Sequence, residues 1–158
     1  MQDGLFAPNK TTTRAEFVTM LVRAMNWIDA GEGIDFRDVS AEDWFAVEIR
    51  TASNKGVITG DGLLFFHPNK PITREEMAVI IIRVWRMLSV AGLPSLDGVK
   101  LSSVDRAMIS EWAEEAVLQA NKLGLLQGKA EDRLAPHELA NRAEAAVVIN
   151  RLLHALSN

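Results

Sequence analysis

Residues 8–16 read P-N-K-T-T-T-R-A-E, residues 68–76 read P-N-K-P-I-T-R-E-E, and residues 136–144 read P-H-E-L-A-N-R-A-E. The phrase returns at offsets of 60 and 68, and each time an apolar run of helical period follows it. In the first copy the run is Phe17, Met20, Leu21, Ala24, Met25 and Ile28. The second has Met77, Ile80, Ile81, Val84, Trp85 and Leu88, and the third has Ala145, Val148, Ile149, Leu152, Leu153 and Leu156. Apolar residues at i, i+3, i+4, i+7, i+8 and i+11 make one buried helix face. Three such helices predict an all-α domain of repeated units, packed about a pseudo-threefold axis, spanning 1–158.

A second unit precedes two of the long helices. Residues 36–60 (F-R-D-V-S-A-E-D-W-F-A-V-E-I-R-T-A-S-N-K-G-V-I-T-G) align with 104–128 at offset 68, pairing Trp44 with Trp112, Ala52 with Ala120, Gly56 with Gly124 and Gly60 with Gly128. Each reads as a short helix beginning near its tryptophan and ended by Gly56 or Gly124 in the left-handed conformation. Residues 29–35 and 89–103 read as linkers. The front of the first repeat survives only as Asp3-Gly4-Leu5-Phe6, matching the Asp61-Gly62 turn. The organisation is therefore about two and a half repeats: 1–28, 36–88 and 104–156. One ligand groove is expected to be incomplete unless another copy or an upstream segment fills it.

Composition narrows the function. A net charge of −4 lacks the basic face that nucleic acid requires. Without cysteine there is no disulfide and no thiolate metal site. No run reaches the roughly 20 apolar residues of a membrane helix. The Met1-Gln2-Asp3-Gly4 start does not read as a signal peptide, so a protein working outside the cell would be a mature form or an excised piece. His67, His137 and His154 fall at unrelated repeat positions and form no metal-ligand spacing. No hydrolase, P-loop or zincin motif occurs. The expectation is a binding protein, not an enzyme, and one without a cofactor.

Thr13-x-x-Glu16 and Thr73-x-x-Glu76 are capping boxes, and Asn141-x-x-Glu144 is a variant of them. Arg14, Arg74 and Arg142 then stand at the first helical position, where a cation opposes the helix dipole. Two explanations fit a cation placed there three times. It can be a guanidinium fork that joins the helix N–H groups in holding a carboxylate or phosphate. It can instead be a structural ion pair with Asp38, Glu48 or Asp105 of a neighbouring unit. Trp44 and Trp112 are core anchors or stacking platforms for a sugar ring. Gly60 and Gly128 are turn glycines or points of close ligand approach. Arg23, Arg83 and Arg151, nine residues beyond each first arginine, read as snorkelling or paired side chains.

The composite F-x-D-V-x-x-x-D-W-F…A…K-G-V-I-T-G…F-x-P-N-K-x-I-T-R-E-E, over residues 36–76, resembles the S-layer homology repeat. The third repeat departs from it at Asn141, His137-Glu138 and Val104-Asp105. The resemblance implies a three-pronged helical pseudo-trimer that anchors a protein to the bacterial cell wall. Its partner would be secondary cell-wall polysaccharide, in Gram-positive bacteria commonly carrying a ketal-linked pyruvate on an amino sugar. It marks Thr13-Arg14-Ala15-Glu16, Thr73-Arg74-Glu75-Glu76 and Asn141-Arg142-Ala143-Glu144. Joined to the residue reading, this makes Arg14, Arg74, Arg142 and Thr73 the expected ligand-binding residues, with Asp38, Trp44, Trp112, Gly60 and Gly128 around them. Arg74 is the centre of that expectation, and Arg74→Ala is expected to weaken binding without unfolding. The competing class is a helical module whose grooves bind a peptide or another surface-protein subunit.

Overall fold

The computed structural model describes residues 7–28, 31–97, 103–129 and 133–157. Its elements are α1 (Arg14–Ala24), α2 (Ala46–Asn54), α3 (Arg74–Leu88), α4 (Ser103–Met108), a 3-10 turn (Glu111–Ala113), α5 (Glu114–Lys122) and α6 (Arg142–Leu156). The described residues contain no strand, and the domain is all-α. The Asp3-Gly4-Leu5-Phe6 turn and the side chain of Asp105 lie outside them.

All three long helices begin as the sequence predicts. Thr13, Thr73 and Asn141 cap them with reciprocal bonds to Glu16, Glu76 and Glu144. α2 and α5 end in Schellman motifs. Gly56 (φ 69°) and Gly124 (φ 71°) donate to the carbonyls of Ser53 and Asn121, and the next residues, Val57 and Leu125, donate to those of Ala52 and Ala120. α1 departs from expectation, stopping at Ala24 rather than reaching Ile28. Asn26 takes φ 51° there, with Asn26 N–H on Arg23 O and Trp27 N–H on Val22 O. Asparagine tolerates the left-handed region, so it serves the first helix as glycine serves the short ones. α4 stands where the second repeat has only the Phe36–Asp38 turn, at the front of the third repeat, where the sequence predicts no helix ahead of Trp112.

The phrases that precede the long helices are tied into a closed ring. Thr12 N–H donates to Ala140 O, Ala140 N–H to Ile72 O, and Ile72 N–H to Thr12 O, at 2.9–3.0 Å. Isolated bridges Thr11–Asn141, Thr13–Pro71 and Thr73–Leu139 follow the same cycle. Thr12, Ile72 and Ala140 are fully buried at its centre. Around them lies one continuous core that includes Phe17, Leu21, Phe66, Ile81, Leu126 and Leu152. Burying each of these large side chains favours folding by about 1.5–3 kcal/mol.

Packing pairs do not coincide with sequence repeats. α2 packs on α1 and α5 on α3, so each short helix lies on the long helix before it in the chain, not on the one it leads into. α6 packs against α3 and α1, and among the described residues no short helix packs comparably on it.

Candidate functional site

The capping glutamates explain why an arginine is tolerated at the start of each long helix. One carboxylate oxygen (Oε2) of Glu16, Glu76 and Glu144 accepts from the N–H of its own cap residue. The other, Oε1, faces the arginine of another repeat: Arg14 Nη1–Glu76 at 3.3 Å, Arg74 Nη1–Glu144 at 3.5 Å and Arg142 Nη2–Glu16 at 2.7 Å. The ion pairs run round the same cycle as the backbone ring. Of the partners named from sequence, Glu48 acts elsewhere, while Asp38 favours the charged Arg14 through its own charge. Asp38 accepts from the N–H groups of Phe66 and His67, and Glu48 pairs with Arg23.

The idea that the helix N-termini hold an anion is corrected. The first N–H of each long helix (Arg14, Arg74, Arg142) donates to Lys70 O, Glu138 O and Lys10 O. The second (Ala15, Glu75, Ala143) donates to Pro68 O, Pro136 O and Pro8 O. The third is taken by the cap side chain, Thr13, Thr73 or Asn141. Carbonyls of the next P-N-K or P-H-E loop occupy the positions an anion would need, because the ring presses that loop onto the helix end.

The three arginines are not equivalent. Arg74 has a side chain only 4% exposed. Its Nε donates to Leu134 O (2.9 Å) and its Nη2 to Gln127 O (2.6 Å). Beside it Lys129 bridges Glu138 (2.7 Å) and Glu144 (3.1 Å), so the 127–129 turn closes over the guanidinium. Lys129 holds the Glu138 carboxyl below its usual range, and is itself raised by the same bond. Arg14 is more open. Its Nε donates to Phe66 O, and its guanidinium lies 4.9 Å from the Phe66 ring centroid. Burial lowers its pKa, partly offset by Glu76 and Asp38, and a guanidinium remains charged regardless.

Arg14 opens onto a cleft of about 310 Å³, at the small end of the roughly 300–1,000 Å³ usual for small-ligand sites. Its walls come from all three repeats: Arg14 from the first, the Ile58–Asp61 turn and α3 from the second, and Trp112 from the third. Lys70, Arg83 and His67 also face it. Arg14, Lys70 and Arg83 outnumber Asp61 and Glu76, giving a local positive excess on an acidic chain. Both carboxylates are held by protein donors: Asp61 by Leu63 N–H, Phe65 N–H and His67, Glu76 by Thr73 N–H, Arg14 and Lys70. Trp112 is 62% exposed and Trp44 53%, so neither is a core anchor.

Gly60 lines the cleft at φ 65°, where a Cβ would stand 2.5 Å from Phe36 Cε1. Its lack of a side chain admits the Phe36 ring behind the turn. Gly128, its counterpart, is exposed on the turn that closes over Arg74. Thr73 acts as a helix cap through its hydroxyl. Of the residues marked from sequence, Arg14, Gly60 and Trp112 thus meet in one cleft, Asp38 braces the 66–67 turn beside it, and Arg74, Gly128 and Thr73 belong to the neighbouring junction. Arg142 stands at the third junction, and Trp44 precedes α2 on α1. From sequence Arg83 reads as a snorkelling or paired side chain and His67 is weighed only as a metal ligand; with Lys70 they become part of the site because the 67–70 turn and α3 converge on the cleft.

One cluster imitates a catalytic constellation. Ser110 Oγ lies 2.9 Å from Glu75 Oε1 and 3.3 Å from His137 Nε2, and His137 Nε2 lies 3.5 Å from Glu75 Oε2. The same imidazole nitrogen meets both serine and carboxylate, so the carboxylate cannot orient the ring through its other nitrogen as a triad requires. Glu75 also accepts from Ser110 N–H, which makes the cluster a brace between α3 and the α5 unit. Among the described residues no group of His, Asp or Glu could hold a metal, and no helix is long and apolar enough to cross a membrane.

An all-helical repeat module with an arginine- and tryptophan-lined cleft is thus the class that fold and site define. The chain belongs to the S-layer homology domain family, whose sequence pattern matches residues 1–18, 35–78 and 105–146. It is 40% identical over its full length to an amylopullulanase of Thermoanaerobacterium thermosulfurigenes, spanning 8% of that protein. It is 38% identical, again over its full length, to the exoglucanase XynX of Acetivibrio thermocellus, spanning 14% of it. An S-layer protein of Bacillus thuringiensis subsp. finitimus is 31% identical over 92% of the chain, which corresponds to 17% of that protein. The chain thus spans a small part of the relatives it matches. Family and surface-layer relatives place it at the bacterial cell surface.

Proposed function

We propose that this chain is an anchoring module that holds a surface protein non-covalently to the bacterial cell wall, by binding an acidic secondary cell-wall polysaccharide in the Arg14 cleft. The observation that carries the reading is the meeting of Arg14, the Gly60 turn and exposed Trp112 in one small cleft with a local excess of cations. An indole offers a flat apolar face to a sugar ring and an N–H to its hydroxyls. A guanidinium offers a planar fork to a carboxylate such as a pyruvate ketal. The Arg142–Glu16 junction repeats the arginine–glutamate pair, and the Arg74 junction is the closed one. The fused partner, enzyme or S-layer subunit, would supply whatever further activity the whole protein has.

Titration calorimetry with pyruvylated wall polymer tests this. Arg14→Ala and Trp112→Ala should each weaken binding at least about tenfold, roughly 1.4 kcal/mol. Depyruvylated polymer should bind as poorly as the variants. Equal affinity for both polymers would remove the carboxylate from the reading. Capture of a protein subunit in place of polysaccharide would favour an interaction module.

A further inference from the structure

We propose that the cleft binds two negative charges rather than one: Arg83 is a second anion subsite, for a carboxylate or phosphate on the sugar residue next to the one held at Arg14. The inference rests on the reading of the cleft as a polysaccharide site and extends it to the charge pattern of the polymer. Arg83 stands at the same place in its long helix as Arg23 and Arg151, and the three are satisfied differently. Arg23 is neutralised by Glu48 at 2.6 Å. Arg151 donates from Nη2 to the Gln127 side chain at 2.8 Å. Arg83 has the shorter Thr59 where Arg151 has Gln127, and only its Nη1 is engaged, by Val57 O at 3.2 Å and Thr59 Oγ1 at 3.4 Å. Among the described residues no carboxylate lies within ion-pair distance of Arg83, and its Nε and Nη2 have no hydrogen-bond partner.

An uncompensated cation of this kind is unfavourable in the free protein. Arg83 is half-buried, burial disfavours its charge, and Arg86 one turn on repels it. Arg86 has its own carboxylate in Glu115, at 2.8 Å, so of the two only Arg83 is left without a counter-charge. A guanidinium cannot shed its proton to relieve this, and partial desolvation of a charge without a partner costs stability. The unengaged Nε and Nη2 together form the planar fork that takes two oxygens of a carboxylate or phosphate. An arriving anion would supply the charge that Glu48 supplies to Arg23.

The subsite is separate from the one at Arg14. Glu76, Val79, Ile80 and Arg83 follow at i, i+3, i+4 and i+7, so they share the face of α3 that lines the cleft. Seven residues of helix put the two ends of that face about 10 Å apart. At one end Arg14 and Lys70 share a single oxygen of Glu76, at 3.3 and 3.1 Å, which leaves one positive charge over. At the other end stands Arg83. Between them Val79 and Ile80 are apolar, and exposed Trp112 adds an indole, a surface suited to the faces of sugar rings. Asp61, the remaining acid of the cleft, is held by the Leu63 and Phe65 amides and by His67. One carboxylate cannot bridge such a span, whereas an acidic group on each of two successive sugars can.

Calorimetry with synthetic disaccharides tests the proposal. One carries a pyruvate ketal on a single sugar; two others add an acidic group to the second sugar, a carboxylate in one and a phosphate in the other. At least one dianionic fragment should bind about tenfold or more tighter than the monoanionic one. Arg83→Gln should bring that ratio close to one, whereas Arg14→Ala should weaken every fragment. Without ligand, Arg83→Gln should leave the urea midpoint unchanged or raise it, because it removes an uncompensated cation. Equal binding of all fragments, still weakened by Arg14→Ala, overturns the second subsite and leaves the first reading standing. So does a ratio that survives Arg83→Gln, or a fall in urea midpoint as large as that of Arg74→Ala, which would make Arg83 a structural brace. No binding of any fragment, or binding indifferent to Arg14, overturns both.

Discussion

Replacing Arg74 by alanine should cost the domain much of its stability, and more than the same change at Arg14. The Arg74 side chain is 4% exposed and donates to two main-chain carbonyls, Leu134 O at 2.9 Å and Gln127 O at 2.6 Å, besides facing Glu144 at 3.5 Å. Hydrogen bonds to a charged group contribute about 1.5–3 kcal/mol each. Two of them give about 3–6 kcal/mol, moderated because Glu144 keeps Lys129 at 3.1 Å and is not orphaned. About 3–5 kcal/mol is therefore expected, the range for breaking a buried pair. In a chain of this size each kcal/mol moves Tm by about 2–4 °C, so the fall should be about 6–20 °C. Arg14→Ala removes one carbonyl bond, to Phe66 O, and leaves Glu76 with Lys70 at 3.1 Å; about 1.5–3 kcal/mol is expected. Urea denaturation of both variants, followed by tryptophan fluorescence, gives the comparison directly. An Arg74→Ala cost below about 1 kcal/mol, or below that of Arg14→Ala, would refute the closed-junction geometry. Where the sequence leads to the expectation that Arg74→Ala weakens binding without unfolding, the buried hydrogen bonds of Arg74 lead to a prediction of marked destabilisation.

Other consequences are equally direct. Gly60→Ala meets both a left-handed φ of 65° and a Cβ 2.5 Å from Phe36 Cε1, so it should cost about 2 kcal/mol or more. Gly124→Ala, at φ 71° with nothing within 4 Å, should cost only about 1 kcal/mol, and equal costs would contradict the packing of Phe36. Thr12 is fully buried in the ring and its hydroxyl has no partner, so Thr12→Val should raise stability by roughly 1 kcal/mol; a lower melting temperature would show that the hydroxyl is satisfied. Acid should destabilise the domain. Burial pushes the Glu16 carboxyl up, but the Thr13 amide and Arg142 more than reverse this; Glu138 is lowered by Lys129, and Asp61 by the Phe65 and Leu63 amides. The unfolded chain then binds these protons at higher pH than the folded one. Their stabilisation is complete above the ordinary carboxylate range, about pH 4, and is lost as pH falls through the lowered values. A urea midpoint unchanged between pH 5 and pH 3 would rule this out.

The local chemistry was legible in the residues. Capping boxes at Thr13, Thr73 and Asn141, glycine stops at Gly56 and Gly124, and the apolar stripes of α3 and α6 depend on neighbours within four or five positions. The early end of α1 was also written locally, in Asn26, but asparagine after a helix is an ambiguous signal that the apolar Met25 and Ile28 overrode. The site was less legible. The same threonine, arginine and glutamate recur in each copy, so sequence alone could treat the three arginines only as equals or rank them by how well each copy was preserved. That ranking favoured Arg74, in the intact second repeat.

What separates the arginines lies far away in the chain. Arg74 is sealed by Gln127, Lys129 and Leu134, while Arg14 opens toward a turn at residues 58–61 and an indole at residue 112. The sequence by itself determined the starts and caps of the three long helices, the glycine stops of the short ones and the family, because those follow from short-range spacing and residue type. Tertiary structure alone decided which helix each short helix covers, which arginine meets solvent and where the cleft forms. The physical reason is that a backbone ring and its ion pairs join each repeat to the next, so every site is assembled from parts of different repeats.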